Sequence, residues 1–240
     1  MKQEEALRNE YISILKLFDL SKINEKEDKY SGVFLPIPFK EYFNSKTKIM
    51  LVGRETAGWN TDNNKNTLGR ISKYGAEQIV DEGIIRYKKH LSEHVGKRTK
   101  SKFKQYYFNI AKKLQIEPSS MIYSNLFAWD YDRRSPVKRP KDEFEYIASL
   151  SIKLLSAQIK ILKPNYIIFA AGNIGVIDPL IRNLFNNEYI TNKKSVVPRK
   201  FWEFKVDNLM CFRVAHPRAS NGHAQYRDLI IDRIKLLELE

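Results

Sequence analysis

Four short, largely apolar runs punctuate this chain: Ile49 to Val52, Met121 to Leu126, Tyr166 to Ala171 and Met210 to Val214. Short continuous apolar runs of this kind are the pattern of strands buried on both faces of a parallel sheet. The segments between them carry helical spacing instead. Over residues 3–19 it falls on Ala6, Tyr11, Ile14, Leu15 and Phe18, and over residues 142–162 on Ile147, Leu150, Leu154, Ala157 and Ile161, with Pro164 as the stop. Further helices are expected at about 76–95 and 100–115, from Gly172 through Phe185, and over a last stretch marked by Tyr226, Ile230, Ile234 and Leu237. Residues 60–75 read as a polar loop, and Arg133 to Lys141 as a basic, proline-bearing loop. Residues 201–206 are expected to pair as an edge strand beside 210–214. Strands alternating with long helices imply the α/β class. The expected organisation is an N-terminal helical extension, residues 1–30, followed by one domain, residues 31–240.

Hydrophobic residues make up 42% of the chain, enough for a substantial core and against disorder. No apolar run approaches the roughly 20 residues of a membrane span, and the charged amphipathic start is not a signal peptide. The one cysteine, Cys211, excludes an intramolecular disulfide and a four-cysteine metal or cluster site. A cytoplasmic monomer without membrane contact is the expectation. Lys and Arg number 42 against 28 acidic residues, for a net charge of +14. The basic residues gather at Lys97–Lys104, at Arg133–Lys141 and at Lys193–Lys200, interleaved with Phe103, Tyr106, Tyr107, Phe201 and Trp202. Such surfaces attract polyphosphate and offer rings on which bases stack, so nucleic acid, single- or double-stranded, is the expected partner. The competing account is an ordinary solvated basic exterior.

Candidate chemistry sits where the apolar runs end. Val214-Ala215-His216-Pro217 closes the last run with a histidine that the following proline biases away from helix, placing His216 at a strand end. The first run opens into Gly53-Arg54-Glu55-Thr56-Ala57-Gly58-Trp59, two glycines flanking a carboxylate. Glycine permits close approach of a ligand to the backbone, and a glutamate there can orient a water or face a developing cation. The second run contains Asn125, whose amide can both donate to and accept from a planar base. Each has a plain counterpart: a strand-to-loop turn, an exposed Glu, a backbone-capping Asn. All three lie at expected carboxyl ends of parallel strands, where open α/β sheets bind ligands, so convergence on one rim is expected.

These segments resemble the uracil-DNA glycosylase superfamily, in order and approximate spacing, over about residues 45–235. Gly53-Arg54-Glu55-Thr56-Ala57 sits where that superfamily has a glycine, a variable residue, a catalytic Asp or Asn and usually a proline. Asn125 matches its strand-end Asn, Pro164 with Tyr166 to Gly172 its third-strand segment, and His216-Pro217-Arg218-Ala219-Ser220 its C-terminal His-Pro motif. The resemblance implies a three-layer α/β/α fold around a four-stranded parallel sheet, and a nucleotide flipped from the duplex at roughly a few kcal/mol. It implies a DNA N-glycosylase, a hydrolase needing no cofactor or metal. Glu55 would position water or stabilise an oxocarbenium-like sugar, and His216 would donate to a base oxygen as charge develops. Asn125 would read the base edge, with Gly53 alongside; Trp59 is taken as the stacking aromatic and Phe34 as the second candidate. Arg218 and Ser220 would contact phosphate or wedge the strands, and Arg54, Arg133 and Arg134 would serve the DNA surface. Glu55, Thr56 and Arg218 depart from the pattern, which opens the substrate to a modified or damaged base as well as uracil. The lone cysteine disfavours the iron–sulfur branch.

Three alternatives stand beside this reading. One is a noncatalytic nucleic-acid-binding module on the same fold. Another is His90-Leu91-Ser92-Glu93-His94, which matches an inverted zinc-peptidase pattern, although Lys88, Lys89, Lys97 and Arg98 surround it and would repel a dication. The third, Ala171-Gly172-Asn173-Ile174-Gly175, suggests a phosphate turn but lacks the full glycine fingerprint.

Overall fold

In chain order the elements are α1 (Lys2–Leu15), α2 (Lys40–Asn44), β1 (Ile49–Gly53), α3 (Leu68–Tyr74), α4 (Ala76–Ser92), α5 (Lys102–Leu114), β2 (Met121–Asn125), α6 (Lys141–Leu162), β3 (Tyr166–Phe169), α7 (Ile177–Leu184), β4 (Ile190–Val197), β5 (Phe201–Val206), β6 (Leu209–Val214) and α8 (Ala224–Leu237). The computed structural model describes residues 2–59, 68–92, 99–172, 175–186, 189–219 and 222–239. Among them no helix is long and apolar enough to cross a membrane.

Local chemistry explains several boundaries. At the start of α5 the Ser101 hydroxyl oxygen accepts the Lys104 N–H across 3.3 Å. The helix ends where Gln115 turns left-handed, φ 56°, and returns its N–H to the carbonyls of Ala111 and Lys112. α6 follows Pro140, carries Asp142 and Glu143 in its first turn against the helix dipole, and buries Ile147, Leu150 and Leu154. The expected loop over 60–75 is corrected in part: α3 occupies its end and buries Leu68, Arg70 and Ile71. Seven residues are too few for helical periodicity to stand out. The first helix stops at Leu15, not at 19.

The chain is α/β, built on a six-stranded mixed sheet of order β2-β1-β3-β6-β5-β4. β1 and β3 pair in parallel from Ile49↔Tyr166 to Val52↔Phe169. β3 and β6 continue in parallel from Tyr166↔Met210 to Phe169↔Arg213. β5 and β4 add antiparallel strands beyond β6. A sheet limited to four parallel strands is therefore not what forms. The reason is local: Val206 pairs with Leu209 across a two-residue turn in which Asp207 has φ 50°, and so tight a connection can only join antiparallel strands. β5 pairs with β6 as expected, but β4 lies outside it. The stretch from Thr191 to Ser195 in β4 is exposed, so it has no apolar pattern to betray it.

Contacts divide the chain into two compact units, each discontinuous. The first comprises Met1–Ile37, Glu55–Glu93 and Ser124–Leu162. Here α1 packs on α4 and α6, so residues 2–15 belong to a core. The Arg8 guanidinium grips Asp81 with two bonds of 2.6 and 2.7 Å, and the Tyr11 hydroxyl donates to the Pro36 carbonyl. Residues 31–34 run beside 128–130, Ser31 N–H donating to the Asp130 carbonyl and Phe34 N–H to that of Ala128. Glu143 is buried and accepts from the Tyr30 hydroxyl (2.6 Å) and twice from Arg139 (2.7 and 3.1 Å). Burial pushes its pKa up, but Arg139 and Tyr30 outweigh that and hold it below the usual carboxylate range. Arg139 of the expected basic loop is thus committed to an internal ion pair.

The second unit comprises Pro38–Arg54, His94–Tyr123 and Lys163–Glu240. It holds the sheet, with the last two residues of β2 passing into the first unit. α8 packs against α5 and β6, helped by Lys113–Asp228 at 2.8 Å and by Arg233 on Glu203.

Candidate functional site

In the second unit, the parallel register fixes one edge. Val52, Phe169 and Arg213 share a row, so the chain leaves β1 at Gly53-Arg54, β3 at Ala170 to Gly172 and β6 at Ala215-His216 on the same side. Gly172 has φ 94°, and a Cβ placed on it would lie 4.0 Å from His216 Cβ. Only glycine takes that conformation without strain, and it brings the end of β3 beside the histidine.

His216 begins a turn. Pro217 occupies its second position, and the Ala219 N–H donates to the His216 carbonyl across 2.8 Å. The turn also delivers the Arg218 N–H to His216 Nδ1 at 3.1 Å. A nitrogen that accepts a hydrogen bond carries no proton, so the neutral ring bears its proton on Nε2. Burial lowers the His216 pKa to about 4, with the charges of Arg54, Arg218 and Arg227 adding to the fall. At neutral pH the group is an uncharged imidazole with an N–H to donate. Phe103 stands 6.1 Å from the ring, tilted 33°, and meets Tyr123 at 4.7 Å.

Beside this turn lies a cleft of about 730 Å³ between α5 and α8. Lys102, Arg218 and Arg227 line it against one carboxylate, Asp228, and Gln105 adds an amide. It is a basic depression suited to an anionic group.

In the first unit, Glu55 follows Arg54 directly in the chain and is half-buried. The residues after it are clamped by Asp130, which is 1% exposed. One carboxylate oxygen accepts from the Thr56 hydroxyl (2.6 Å) and from the N–H groups of Gly58 (2.9 Å) and Trp59 (3.1 Å); the other accepts the Arg133 N–H (3.0 Å). The Arg133 side chain lies over Gly58, whose absent Cβ would sit 3.2 Å from its Cγ. Arg133 and Arg134 are both exposed. Trp59 is buried, donates from its indole N–H to the Val33 carbonyl, and meets Phe34 edge-on at 4.8 Å and His90 at 4.9 Å, with Arg86 over its ring. Phe34, 1% exposed, also meets Tyr87. Asn125 is 4% exposed, yet neither its Oδ1 nor its Nδ2 has a partner among the described residues. Buried amides are rarely left so.

Gly53, Arg54, His216 and Arg218 therefore belong to one unit, and Glu55, Asn125, Trp59, Phe34, Arg133 and Arg134 to the other. Ser220 lies outside the described residues, as do Glu93 and His94 of the histidine pair and Asn173-Ile174 of the glycine turn. Among the described residues no three His, Cys, Asp or Glu side chains cluster in a way that could hold a metal ion. Sequence reasoning missed Asp130 and Arg227, which act only through tertiary contact. It named Phe103 for its basic surroundings, not for its place beside His216. No model of a known protein family matches the chain, and no curated protein matches its sequence.

Proposed function

We propose that the chain is a DNA base-excision hydrolase of the uracil-glycosylase type, cleaving the N-glycosidic bond of uracil or of a modified or damaged base flipped out of DNA. The observation that carries this reading is His216: an uncharged imidazole at a strand end, its tautomer set by the Arg218 N–H, among three arginines. In base excision the bond from C1′ to the base nitrogen breaks, the base leaves with the electron pair, and water adds at C1′. Negative charge then gathers on a base oxygen. A preorganised Nε2–H aimed there is worth about 3 kcal/mol. A neutral imidazole can meet this task, because its Nε2–H hydrogen-bonds to the developing anion and keeps its proton.

The buried amide of Asn125, without a partner among the described residues, supports a role in reading the base edge. Glu55 is assigned to orient the attacking water or to stabilise the cationic sugar. Arg54, Arg218 and the cleft containing Lys102 and Arg227 are assigned to phosphate, with Arg133 and Arg134 as further DNA contacts. In fold terms, β2-β1-β3-β6 is taken as the four-stranded parallel core of a three-layer α/β/α fold, with β5 and β4 as additions at its edge.

The test is release of base from oligonucleotides bearing uracil, and from a panel of damaged and hypermodified bases, in chelator-treated buffer. The expected product is an abasic site. Survival of every base sinks the enzyme. Unchanged rates in Glu55→Ala, Asn125→Ala and His216→Ala would remove the site assignment. The second reading, a noncatalytic nucleic-acid-binding module, is favoured by Glu55-Thr56 standing where the superfamily has Asp or Asn and then proline. Salt-sensitive DNA binding without base release selects it.

A further inference from the structure

The third basic stretch of the sequence, Lys193 to Lys200, plays no part in the site described above. In the second unit it builds a separate pocket. This pocket, about 260 Å³, is lined by Asp178 and Arg182 of α7, Lys193 and Ser195 of β4, Trp202 of β5 and Arg213 of β6. Three cations face one carboxylate, a surplus of two positive charges.

The geometry is that of a built site. Arg213 is 5% exposed although it carries a full charge. Its Nη2 donates to Asp178 Oδ2 at 2.7 Å and its Nη1 to the Arg199 carbonyl at 3.1 Å. Its Nε is buried and has no partner among the described residues, and the same holds of Asp178 Oδ1 across the pair. A buried guanidinium with an unmatched N–H is expensive unless an acceptor arrives. Arg182 lies 5.1 Å above the Trp202 ring, whose indole is itself stacked on Phe204 at 4.2 Å and 27°. Trp202 therefore serves as a rigid rest for Arg182 and is not open to a nucleobase.

The occupant follows from these groups. A guanidinium edge, a second guanidinium, an ammonium and a hydroxyl converge on a cavity with room for a tetrahedral oxyanion, which is phosphate chemistry. The surroundings choose its source. Lys193, Lys194, Arg199 and Lys200 are all exposed along β4 and the turn after it, extending the positive surface beyond the pocket. A free phosphate has no use for that extension, whereas the next phosphates of a polymer do.

We propose that α7 and the β4–β5 hairpin bind a backbone phosphate of nucleic acid in this pocket, apart from the groups assigned to base excision. This rests on the nucleic-acid half of the proposed function and not on catalysis. Lysines on β4 also protect an exposed sheet edge from pairing with other chains. That task alone leaves nucleic-acid affinity indifferent to Arg182.

The experiment is fluorescence anisotropy with labelled single-stranded and duplex DNA of about 20 nucleotides, from about 50 to 300 mM salt. The double variant Arg182→Gln/Lys193→Gln is compared with Lys22→Gln/Lys26→Gln, which removes the same charge from exposed positions of the first unit. The pocket variant is expected to lower the slope of log affinity against log salt by about 1, the share of one phosphate, and the control to leave it unchanged. Equal behaviour of the two variants overturns the proposal, as does absence of DNA binding in the unaltered chain. Inorganic phosphate is titrated in parallel while the Trp202 indole N–H is followed by NMR. A shift there, with DNA affinity insensitive to the pocket variant, assigns the pocket to free phosphate and overturns the polymer. Base release is measured on the same proteins. Its absence with the slope change intact refutes catalysis and leaves the pocket standing.

Discussion

The backbone N–H of Arg218 donates to Nδ1 of His216, two residues earlier, across 3.1 Å. This contact depends on the turn in which Pro217 presets the backbone, and the Ala219 N–H closes the same turn onto the His216 carbonyl. One short segment thus places the ring, selects its tautomer and hangs the Arg218 side chain at the adjoining basic cleft. A lysine or arginine in place of the histidine would bring a charged donor, which ties the strength of the interaction to phosphate competition. The neutral ring avoids that, and its surroundings keep it neutral.

That neutrality has a pH signature. Burial, and then Arg54, Arg218 and Arg227, lower the His216 pKa from its ordinary 6.5 to about 4. Between those values the unfolded chain holds a proton on this residue that the folded chain does not. Stability therefore falls as pH drops from about 6.5 toward about 4, and this contribution levels off below. Urea unfolding at a series of pH values is expected to show that loss in the unaltered chain and a smaller one in His216→Ala. A ring titration by NMR centred near 6.5 would contradict the burial. In the proposed reaction, the acid limb due to His216 falls near pH 4.

Arg218→Ala removes one of the three cations that hold the imidazole unprotonated, while keeping the N–H that sets its tautomer. The His216 pKa is expected to rise toward its ordinary value, with Arg54 and Arg227 preserving part of the depression. The NMR midpoint reads this directly. DNA affinity is expected to weaken in the same variant, with the salt slope reduced by about 1. A midpoint that stays put would show that the Arg218 charge takes no part in the depression.

Asp130→Asn tests the clamp on the residues that follow Glu55. The carboxylate accepts four hydrogen bonds, three of them on one oxygen, and is almost fully enclosed. Asparagine keeps the volume but offers one acceptor oxygen, and turns an NH₂ toward donors. The expected destabilisation is about 3 kcal/mol, measured by chemical denaturation. A loss under about 1 kcal/mol would mean the loop holds its shape without the charge.

The strands that anchor this arrangement were legible because burial on both faces demands largely apolar runs, which β1 and β3 have throughout and β6 has except at Arg213. β4 was not, because an edge strand held by pairing alone needs no apolar face: Thr191 to Ser195 are all exposed. β4 is the one strand beyond the four apolar runs and the expected edge strand over 201–206, and with it the mixed sheet reaches six. His216 could be found because a proline fixes the backbone of the residue before it. Asp130 could not, since Trp129-Asp130-Tyr131-Asp132 reads as any loop, and the Gly58 and Trp59 N–H groups it accepts lie more than 70 residues away. Trp59 was legible as an aromatic near the first motif, but the sequence does not say which faces of a ring are already covered.

Gly83 lies within α4 and gives a sign that propensity alone gets wrong. Glycine to alanine inside a helix ordinarily gains about 0.5 to 1 kcal/mol. Here the added Cβ would stand 3.2 Å from Leu35 Cδ1, 3.3 Å from the Val33 carbonyl oxygen and 3.4 Å from Val33 Cγ1. The leucine tip can move, but the carbonyl belongs to the segment that bonds Trp59 through its indole. Overpacking of this kind costs about 1 to 3 kcal/mol, so Gly83→Ala is expected to destabilise by about 1 kcal/mol net. A higher melting temperature in the variant would show that residues 33–35 yield freely.

Asn125 separates a structural side chain from a functional one. Its amide is 4% exposed and neither polar atom has a partner among the described residues, while a buried, unpaired amide costs about 1 to 3 kcal/mol. Asn125→Leu keeps nearly the same shape without the polar atoms. If the amide serves a base, the variant is expected to unfold at the same or a higher denaturant midpoint, by about 1 kcal/mol, and to lose base release together with discrimination between bases. If the amide serves the fold, stability drops by a similar amount instead. Denaturation and excision measured on the one variant thus point in opposite directions for the two roles, and a destabilised Asn125→Leu that still excises at the normal rate would strip the residue of its place in base recognition.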